Sequence, residues 1–273
     1  MQTNKFIASA IQLCATAYKM TNLNLAEHLI EQAIQQKKET FGEKIPHLIC
    51  LPEVFNFRSS NAEENNLAAE EIPNGHTFNW ACQLACKFKI HLIVGSILEK
   101  NEQKPFNTSF ALDNKGELLA KYRKINLFEL KNPDSNLPDL CEPKYRSKGD
   151  QIISFETPFA KIGLGICFDL RFPEIFREYR RQNCDLIVLP SAFTYKTGQA
   201  HWEILCKARA IENQLFFIAP NQSINANCWG HSLIINAWGE TLNELSEEPQ
   251  GFINAEIDLD KMQQIREYLK LKF

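Results

Sequence analysis

The amino-acid sequence predicts an α/β domain in which helices cover both sides of the sheets, and three observations support this prediction. Short apolar runs typical of buried strands alternate with amphipathic helical periods along most of the 273 residues. The runs Asp185 to Leu189 and Leu215 to Ala219 do not alternate, which is typical of strands covered on both faces in a layered sandwich. No Gly-, Pro- or Ser-rich linker divides the chain, so residues 1–273 are expected to form a single domain.

In the first half, strand and helix predictions follow one another closely. Phe6 to Leu13 is an apolar, β-compatible run, and Thr21 is a suitable N-cap for a helix that extends to about Lys38 with an apolar stripe on one side. The remaining predicted elements are a strand over Pro46 to Leu51, a helix over Asn79 to Phe88, a strand over Ile90 to Leu98, and a hairpin over Asn107 to Tyr122 that turns at residues 113–116.

The second half repeats this alternation. Strands are predicted at Ile152 to Glu156, Lys161 to Cys167, Asp185 to Leu189, Leu215 to Ala219, His231 to Asn236 and Phe252 to Ile257. Helices are predicted to begin at Pro173 and at Gln199, with His201 and Trp202 packing the second helix against its neighbours. Lys131 to Asp150 is polar, contains three prolines and reads as a long loop, which in a compact domain is often functional.

Composition and charge exclude several classes of protein. The 30 Lys and Arg residues against 33 Asp and Glu residues leave a net charge of -3, which does not favour nucleic acid as a partner. No apolar run approaches the ~18 to 20 residues that span a bilayer, and no signal peptide is visible, so a soluble cytoplasmic protein without a membrane partner is expected.

The nine cysteines do not form the dense pattern of a secreted disulfide framework. This favours a reducing compartment. Cys82 and Cys86 would share one helical face, but no second pair supplies further zinc ligands, so they are interpreted as packing residues. The sequence accordingly predicts neither a metal nor a cofactor.

Cys167 stands at a predicted strand-to-helix junction, where a thiol lies beside free backbone N–H groups. A cysteine nucleophile needs a base, and none of the six histidines lies in a recognisable cysteine-protease signature. Glu53 and Lys124 instead close predicted strands, and strand ends are where α/β folds place their chemistry. The three residues form a candidate site.

Three sequence blocks carry a resemblance to a known family. They are Leu-Pro-Glu ending at Glu53, Tyr-Arg-Lys ending at Lys124, and Gly-Ile-Cys-Phe-Asp around Cys167. Together they resemble the nitrilase superfamily of carbon-nitrogen hydrolases, whose catalytic set is Glu, Lys and Cys in that chain order. Similar stretches continue at residues 190–194, 197–203, 208–213, 229–232 and 238–240. The resemblance extends from Phe6 to about Tyr268, is strongest to the Nit branch, and implies a four-layer α-β-β-α sandwich.

The resemblance also implies roles in the catalytic reaction. Glu53 would be the general base, Cys167 the nucleophile, and Lys124 with the backbone N–H of Phe168 would stabilise the oxyanion. The family's second glutamate is matched to Glu142, although Glu129 is nearer to Lys124 in the sequence. One departure from the pattern is Asn126, which stands where many relatives have His.

The resemblance further implies a substrate pocket. Arg171 matches an arginine that holds a substrate carboxylate in the Nit branch, and Phe193 and Thr197 match pocket residues. For Arg171 alone, a surface ion pair with Glu174 or Glu178 is an alternative interpretation.

The expected function is hydrolysis of a small linear amide that carries a carboxylate, such as a 2-oxoglutaramate-like or deaminated-glutathione-like compound, through a Cys167 thioester. The alternatives are an N-carbamoyl amino acid hydrolase with the same catalytic set and a binding protein with an inert pocket. The resemblance implies a homodimer or higher homo-oligomer. The alternation of apolar Leu269, Leu271 and Phe273 with two lysines adds weak support, since a tail packed on its own domain would explain it equally well.

Overall fold

The structure is a computed structural model that describes residues 4–131, 140–246 and 249–273, and two six-stranded sheets form the centre of that part of the chain. Two prolines of the expected loop at residues 131–150, Pro133 and Pro138, lie outside the described residues. The strands are β1 Lys5–Gln12, β2 His47–Cys50, β3 His91–Glu99, β4 Phe106–Leu112, β5 Leu118–Arg123, β6 Glu129–Leu130, β7 Leu140–Cys141, β8 Ser154–Glu156, β9 Lys161–Leu164, β10 Leu186–Val188, β11 Phe216–Ala219, β12 Ser232–Ile235, β13 Thr241–Leu245 and β14 Gly251–Asp258. The helices are α1 Lys19–Phe41, α2 Ala62–Leu67, α3 His76–Phe88, α4 Pro173–Arg181, α5 Tyr195–Asn213 and α6 Leu259–Tyr268.

The two large sheets repeat one pattern of strand directions. Their strand orders are β14-β1-β2-β3-β4-β5 and β8-β9-β10-β11-β12-β13. In each sheet the second, third and fourth strands are parallel neighbours, and the outer pairings are antiparallel. The parallel strands are connected by helices, as parallel pairing requires. The carboxyl ends of β2 and β9, which precede Glu53 and Cys167, therefore both belong to the parallel part of their sheets.

Four layers result from the packing of these elements. The outer face of the first sheet packs on α1 and α3 through one apolar cluster that includes Ile30, Ile49 and Leu84. A second cluster fills the space between the sheets and continues to α4 and α5, where Phe176 and Trp202 are buried. This is the predicted α-β-β-α sandwich, and it explains why the central strands are apolar on both faces. No helix in the described ranges is long and apolar enough to cross a membrane.

Several predicted element boundaries are wrong. Helix α1 begins at Lys19 with Tyr18 at the N-cap, so Thr21 lies inside the helix and does not cap it. Helix α5 begins at Tyr195 and not at Gln199. The strand expected to reach Cys167 ends at Leu164, and Cys167 begins a 3₁₀-helix that ends at Arg171.

Candidate active site

All eight sequence-predicted site residues line one cavity of about 790 Å³. They reach it from different elements: Glu53 follows β2, Lys124 follows β5, and Cys167 follows β9. The other five are Glu142, Phe168, Arg171, Phe193 and Thr197. The cavity volume lies within the range of pockets that bind small molecules.

A buried ion-pair triplet is the centre of the cavity wall. The Nζ of Lys124 lies 2.9 Å from Oε1 of Glu53 and 2.9 Å from Oε2 of Glu142, and the Lys124 side chain is only 2% exposed. Burial alone would lower the pKa of Lys124, but the negative charges of Glu142 and Glu53 outweigh it and hold this pKa well above its ordinary value. Lys124 therefore stays a cation inside the protein.

Glu142 is held as an anion by the same arrangement. Burial would raise its pKa, but the Lys124 ammonium and the backbone N–H of Phe128, which donates to Oε2 at 2.7 Å, lower it below the ordinary value. Glu129, the alternative second glutamate, is exposed in β6 and does not line the cavity within the described residues. The structure thus places Glu142 beside Lys124.

Backbone and amide donors orient the Glu53 carboxylate. Asn107 Nδ2 donates to Oε1 at 2.8 Å, and the backbone N–H of Ala192 donates to Oε2 at 2.8 Å. Gln222 Nε2 donates to the Glu53 carbonyl oxygen at 2.9 Å. Sequence reasoning assigned no role to these three residues. Asn107 opens the hairpin that leads to Lys124, but no local pattern marks Ala192 or Gln222 as partners of Glu53.

The Cys167 thiol lies beside Glu53 in a strained turn. Its φ of 47° is in the left-handed region, its backbone N–H donates to the Pro190 carbonyl at 2.9 Å, and the residue is 7% exposed. Burial raises its pKa well above the ordinary value, the Glu53 charge adds to this, and Lys124 opposes it. The free thiol is therefore protonated at neutral pH, and its activation requires a base.

Phe168 is the second residue of the 3₁₀-helix that begins at Cys167. First-turn N–H groups have no partner inside their own helix, so the N–H of Phe168 can donate to an oxyanion. Its ring also packs edge-on against Phe128 at a centroid distance of 5.2 Å.

Arg171 extends along the cavity wall over two aromatic rings. Its guanidinium carbon lies 5.7 Å from the Phe168 ring centre and 5.3 Å from that of Phe193. It makes no ion pair within the described residues, and Glu178 pairs with Arg181 at 3.7 Å, so the surface ion-pair interpretation is wrong. Arg171 Nη2 instead lies 3.2 Å from Nδ1 of His201.

The first turns of α5 supply the remaining wall. Thr197 Oγ1 is 2.7 Å from the hydroxyl of Thr194. Trp202 is fully buried and donates to the His231 carbonyl at 2.7 Å, which confirms its packing role. The expectation that His201 packs in the same way is wrong, because His201 is exposed and contacts Arg171. Within the described ranges, no group of three or more His, Cys, Asp or Glu side chains is arranged to hold a metal ion.

Comparison with known proteins gives matches over nearly the whole chain. The carbon-nitrogen hydrolase family model matches residues 7–267. Omega-amidase NIT2 of Homo sapiens is 37% identical over 268 residues, which is 97% of this chain and 92% of the human protein. The crystal structure of Saccharomyces cerevisiae Nit3, a member of branch 10 of the nitrilase superfamily, superposes with a TM-score of 0.86 at 29% identity, covering 98% of this chain and 96% of Nit3.

The crystal structure of the C. elegans NitFhit protein superposes with a TM-score of 0.87 at 32% identity and covers 99% of this chain. This chain spans 65% of the length of NitFhit. The matched segment and the superposed layers agree with the sequence-based identification. The chain therefore belongs to the carbon-nitrogen hydrolase family of the nitrilase superfamily and is a hydrolase that acts on carbon-nitrogen bonds.

Proposed function

We propose that this protein is an amidase that hydrolyses a small linear amide bearing a carboxylate. The observation that carries the proposal is the convergence of Glu53, Lys124 and Glu142 around the Cys167 thiol in one cavity. The similarity to omega-amidases supports an amide as substrate. Glu53, Cys167 and Lys124 provide the base, the nucleophile and the positive charge that amide cleavage requires.

In the first half-reaction, Glu53 accepts the Cys167 proton while the sulfur forms a bond to the amide carbon. The negative charge that develops on the amide oxygen is stabilised by the Lys124 ammonium and the N–H of Phe168. The carbon-nitrogen bond then breaks, and protonated Glu53 donates its proton to the departing nitrogen. An acyl thioester and ammonia result.

In the second half-reaction, Glu53 takes a proton from water, and the resulting hydroxide attacks the thioester carbon. The carbon-sulfur bond breaks, the proton returns to the thiolate, and the carboxylic acid leaves. Glu142 holds Lys124 in place, because its carboxylate lies 2.9 Å from the ammonium group.

Arg171 would bind the substrate carboxylate. Its planar guanidinium group lines the cavity, is half-buried, and lacks a carboxylate partner among the described residues. Such a group is suited to bidentate recognition of a carboxylate. Phe193 and Thr197 would line the acyl chain.

A substrate panel tests the proposal. Wild type and Cys167→Ala are assayed for ammonia release from 2-oxo-acid amides, N-carbamoyl amino acids and nitriles. We expect ammonia from the 2-oxo-acid amides with wild type and none above background with Cys167→Ala. Carbon dioxide released together with ammonia would identify a carbamoyl hydrolase instead, and no release from any member would support an inert pocket.

A cytoplasmic location and a homodimer are part of the same proposal. All nine cysteines are free thiols in the structure, which is consistent with a reducing compartment.

A further inference from the structure

Asp169 is a fully buried carboxyl group next to the candidate site, and the mechanism above does not use it. It is the third residue of the 3₁₀-helix that begins at Cys167, and its exposed fraction is 0%. Its contacts in the described part of the chain are hydrogen bonds and no ion pair. Burying a carboxylate in this way is costly unless its oxygens are satisfied.

Four donors satisfy the two oxygens. Oδ2 accepts from the Tyr122 hydroxyl at 2.7 Å and from the backbone N–H of Ile166 at 2.9 Å. Oδ1 accepts from the backbone N–H of Asn126 at 2.9 Å and from its Nδ2 at 3.0 Å. Tyr122 and Asn126 lie two residues before and after Lys124, while Ile166 directly precedes Cys167.

We propose that Asp169 is a positioning residue that fixes the nucleophile turn against the chain segment that carries Lys124. The proposal rests on the proposed function, since it assigns Asp169 to the geometry of that site. One carboxylate joins both segments, and the Cys167 backbone it supports has a φ of 47° that needs surrounding contacts to persist. Asp169 itself is not among the residues that line the cavity.

Asp169→Asn tests the proposal because it keeps the size of the side chain but replaces one acceptor oxygen with a donor that faces other donors. We expect kcat on 2-oxoglutaramate to fall about 100-fold, because a small misplacement of the reacting groups has an effect of this size. KM should stay within about threefold of the wild-type value. The pH profile of Cys167 alkylation by iodoacetamide, corrected with Cys167→Ala, should also shift. A residue that served stability alone would move neither readout in folded protein.

Milder variants keep the test decisive if Asp169→Asn does not fold. Tyr122→Phe and Asn126→Ala each remove a side-chain donor and leave the carboxylate, and we expect each to lower kcat by about 3- to 10-fold, the cost of one hydrogen bond. The matched control is Ser9→Ala, which removes two buried hydrogen bonds of β1, to His47 and Asn254, away from the site. Ser9→Ala should lose stability but keep kcat.

Two results would overturn the proposal. One is a folded Asp169→Asn with wild-type kcat and alkylation profile; the other is an unfolded Asp169→Asn together with unchanged kcat in both milder variants. Absence of ammonia release by wild type would instead count against the proposed amidase function. In that case the alkylation profile still decides on Asp169, because it measures the Cys167 environment without turnover.

Discussion

At the scale of single residues, the two oxygens of the Glu53 carboxylate have different partners near Cys167. Glu53 contacts the Lys124 ammonium with Oε1 and the Ala192 N–H with Oε2. Its carboxylate is therefore fixed by three donors, including Asn107, before any substrate binds. A preorganised base needs no rearrangement when the thiol proton is transferred.

The first prediction concerns this base. Glu53→Gln retains the side-chain volume but cannot accept the Cys167 proton, so we expect ammonia release to fall by about 10²- to 10⁴-fold, the usual contribution of a general base. Circular dichroism should show an intact fold. Cys184→Ala, a buried thiol remote from the cavity lining, should stay active. Substantial turnover by Glu53→Gln would remove Glu53 from the mechanism.

The second prediction concerns Arg171, which we propose as the carboxylate-binding residue. Arg171→Lys keeps the positive charge but loses the planar arrangement of donors. With a carboxylate-bearing amide, kcat/KM should therefore fall by an amount that corresponds to about 1.5 to 3 kcal/mol of transition-state stabilisation. An amide of equal length without the carboxylate should be poor with wild type and change little further. Equal losses on both substrates would make Arg171 a structural residue held by His201.

At the scale of elements, a polar triplet joins three neighbouring strands of the first sheet. His47 of β2 lies 2.6 Å from the Ser9 hydroxyl of β1, which donates to Asn254 of β14. Burial lowers the pKa of His47 to about 3, and the charge of Lys37 adds to this effect. The imidazole therefore stays neutral in the folded protein at pH values where an unfolded chain protonates it.

The third prediction follows from this difference. The unfolded chain binds a proton at His47 more readily than the folded protein does. The contribution of neutral His47 to the free energy of unfolding is therefore largest above about pH 6.5 and decreases as the pH falls toward 3. Between pH 7 and pH 5 the free energy of unfolding should drop by about 2 kcal/mol from this group. Urea denaturation should show that the free energy of unfolding drops less between pH 7 and pH 5 in His47→Gln than in wild type. An identical pH dependence in the two proteins would contradict the role of His47.

Strand β3 lies very close to the chain segment that precedes Glu53. A Cβ added at Gly95 would lie 2.0 Å from the Pro52 carbonyl oxygen and 2.6 Å from that of Leu51, and these backbone atoms cannot yield cheaply. Only glycine therefore permits this contact.

The fourth prediction is that Gly95→Ala lowers stability by about 1 to 3 kcal/mol, as overpacking does, and reduces kcat by displacing Glu53. Thermal unfolding and ammonia release measure the two effects. Gly251→Ala is the matched control, because its nearest neighbours are the flexible end of Leu245. Similar activity losses in both variants would show that β3 packing does not position Glu53.

At the scale of the whole molecule, partly exposed apolar residues follow α6. Leu269, Leu271 and Phe273 are 43, 38 and 39% exposed, and the Phe273 ring lies 4.7 Å from the guanidinium carbons of both Arg177 and Arg180. The tail thus lies against α4, the helix that follows the Cys167 turn. A second copy could cover the exposed apolar parts of this tail.

The fifth prediction is a homodimer through this surface. Light scattering at micromolar concentration should give about 63 kDa, twice the 31.4 kDa of the chain. Leu269→Glu combined with Leu271→Glu should shift the mass toward the monomer without loss of secondary structure, because charged side chains oppose burial in an interface. A wild-type mass near that of the monomer would contradict the dimer.

Most strands and the longer helices could be predicted because their signal is local. The hairpin turn at residues 113–116 and the apolar runs of β10 and β11 depend on neighbouring residues only. Helices α2 and α6 and strands β6, β7 and β13 were not predicted, and β7 lies within the predicted loop. Strand β13 and helix α2 have no buried residue, so neither has a clear apolar periodicity.

The sequence by itself determined the fold class and, through motif blocks that resemble a known family, that family and the candidate residues Glu53, Lys124 and Cys167, because motif blocks and periodicity are properties of neighbouring residues. Only the tertiary structure decided that Glu142 and not Glu129 contacts Lys124, and that Arg171 meets His201 and no glutamate. It also decided that Ala192 and Gln222, over a hundred positions away, hold Glu53. Such partners depend on how separate strand ends converge in space, and no local pattern in the chain encodes that convergence.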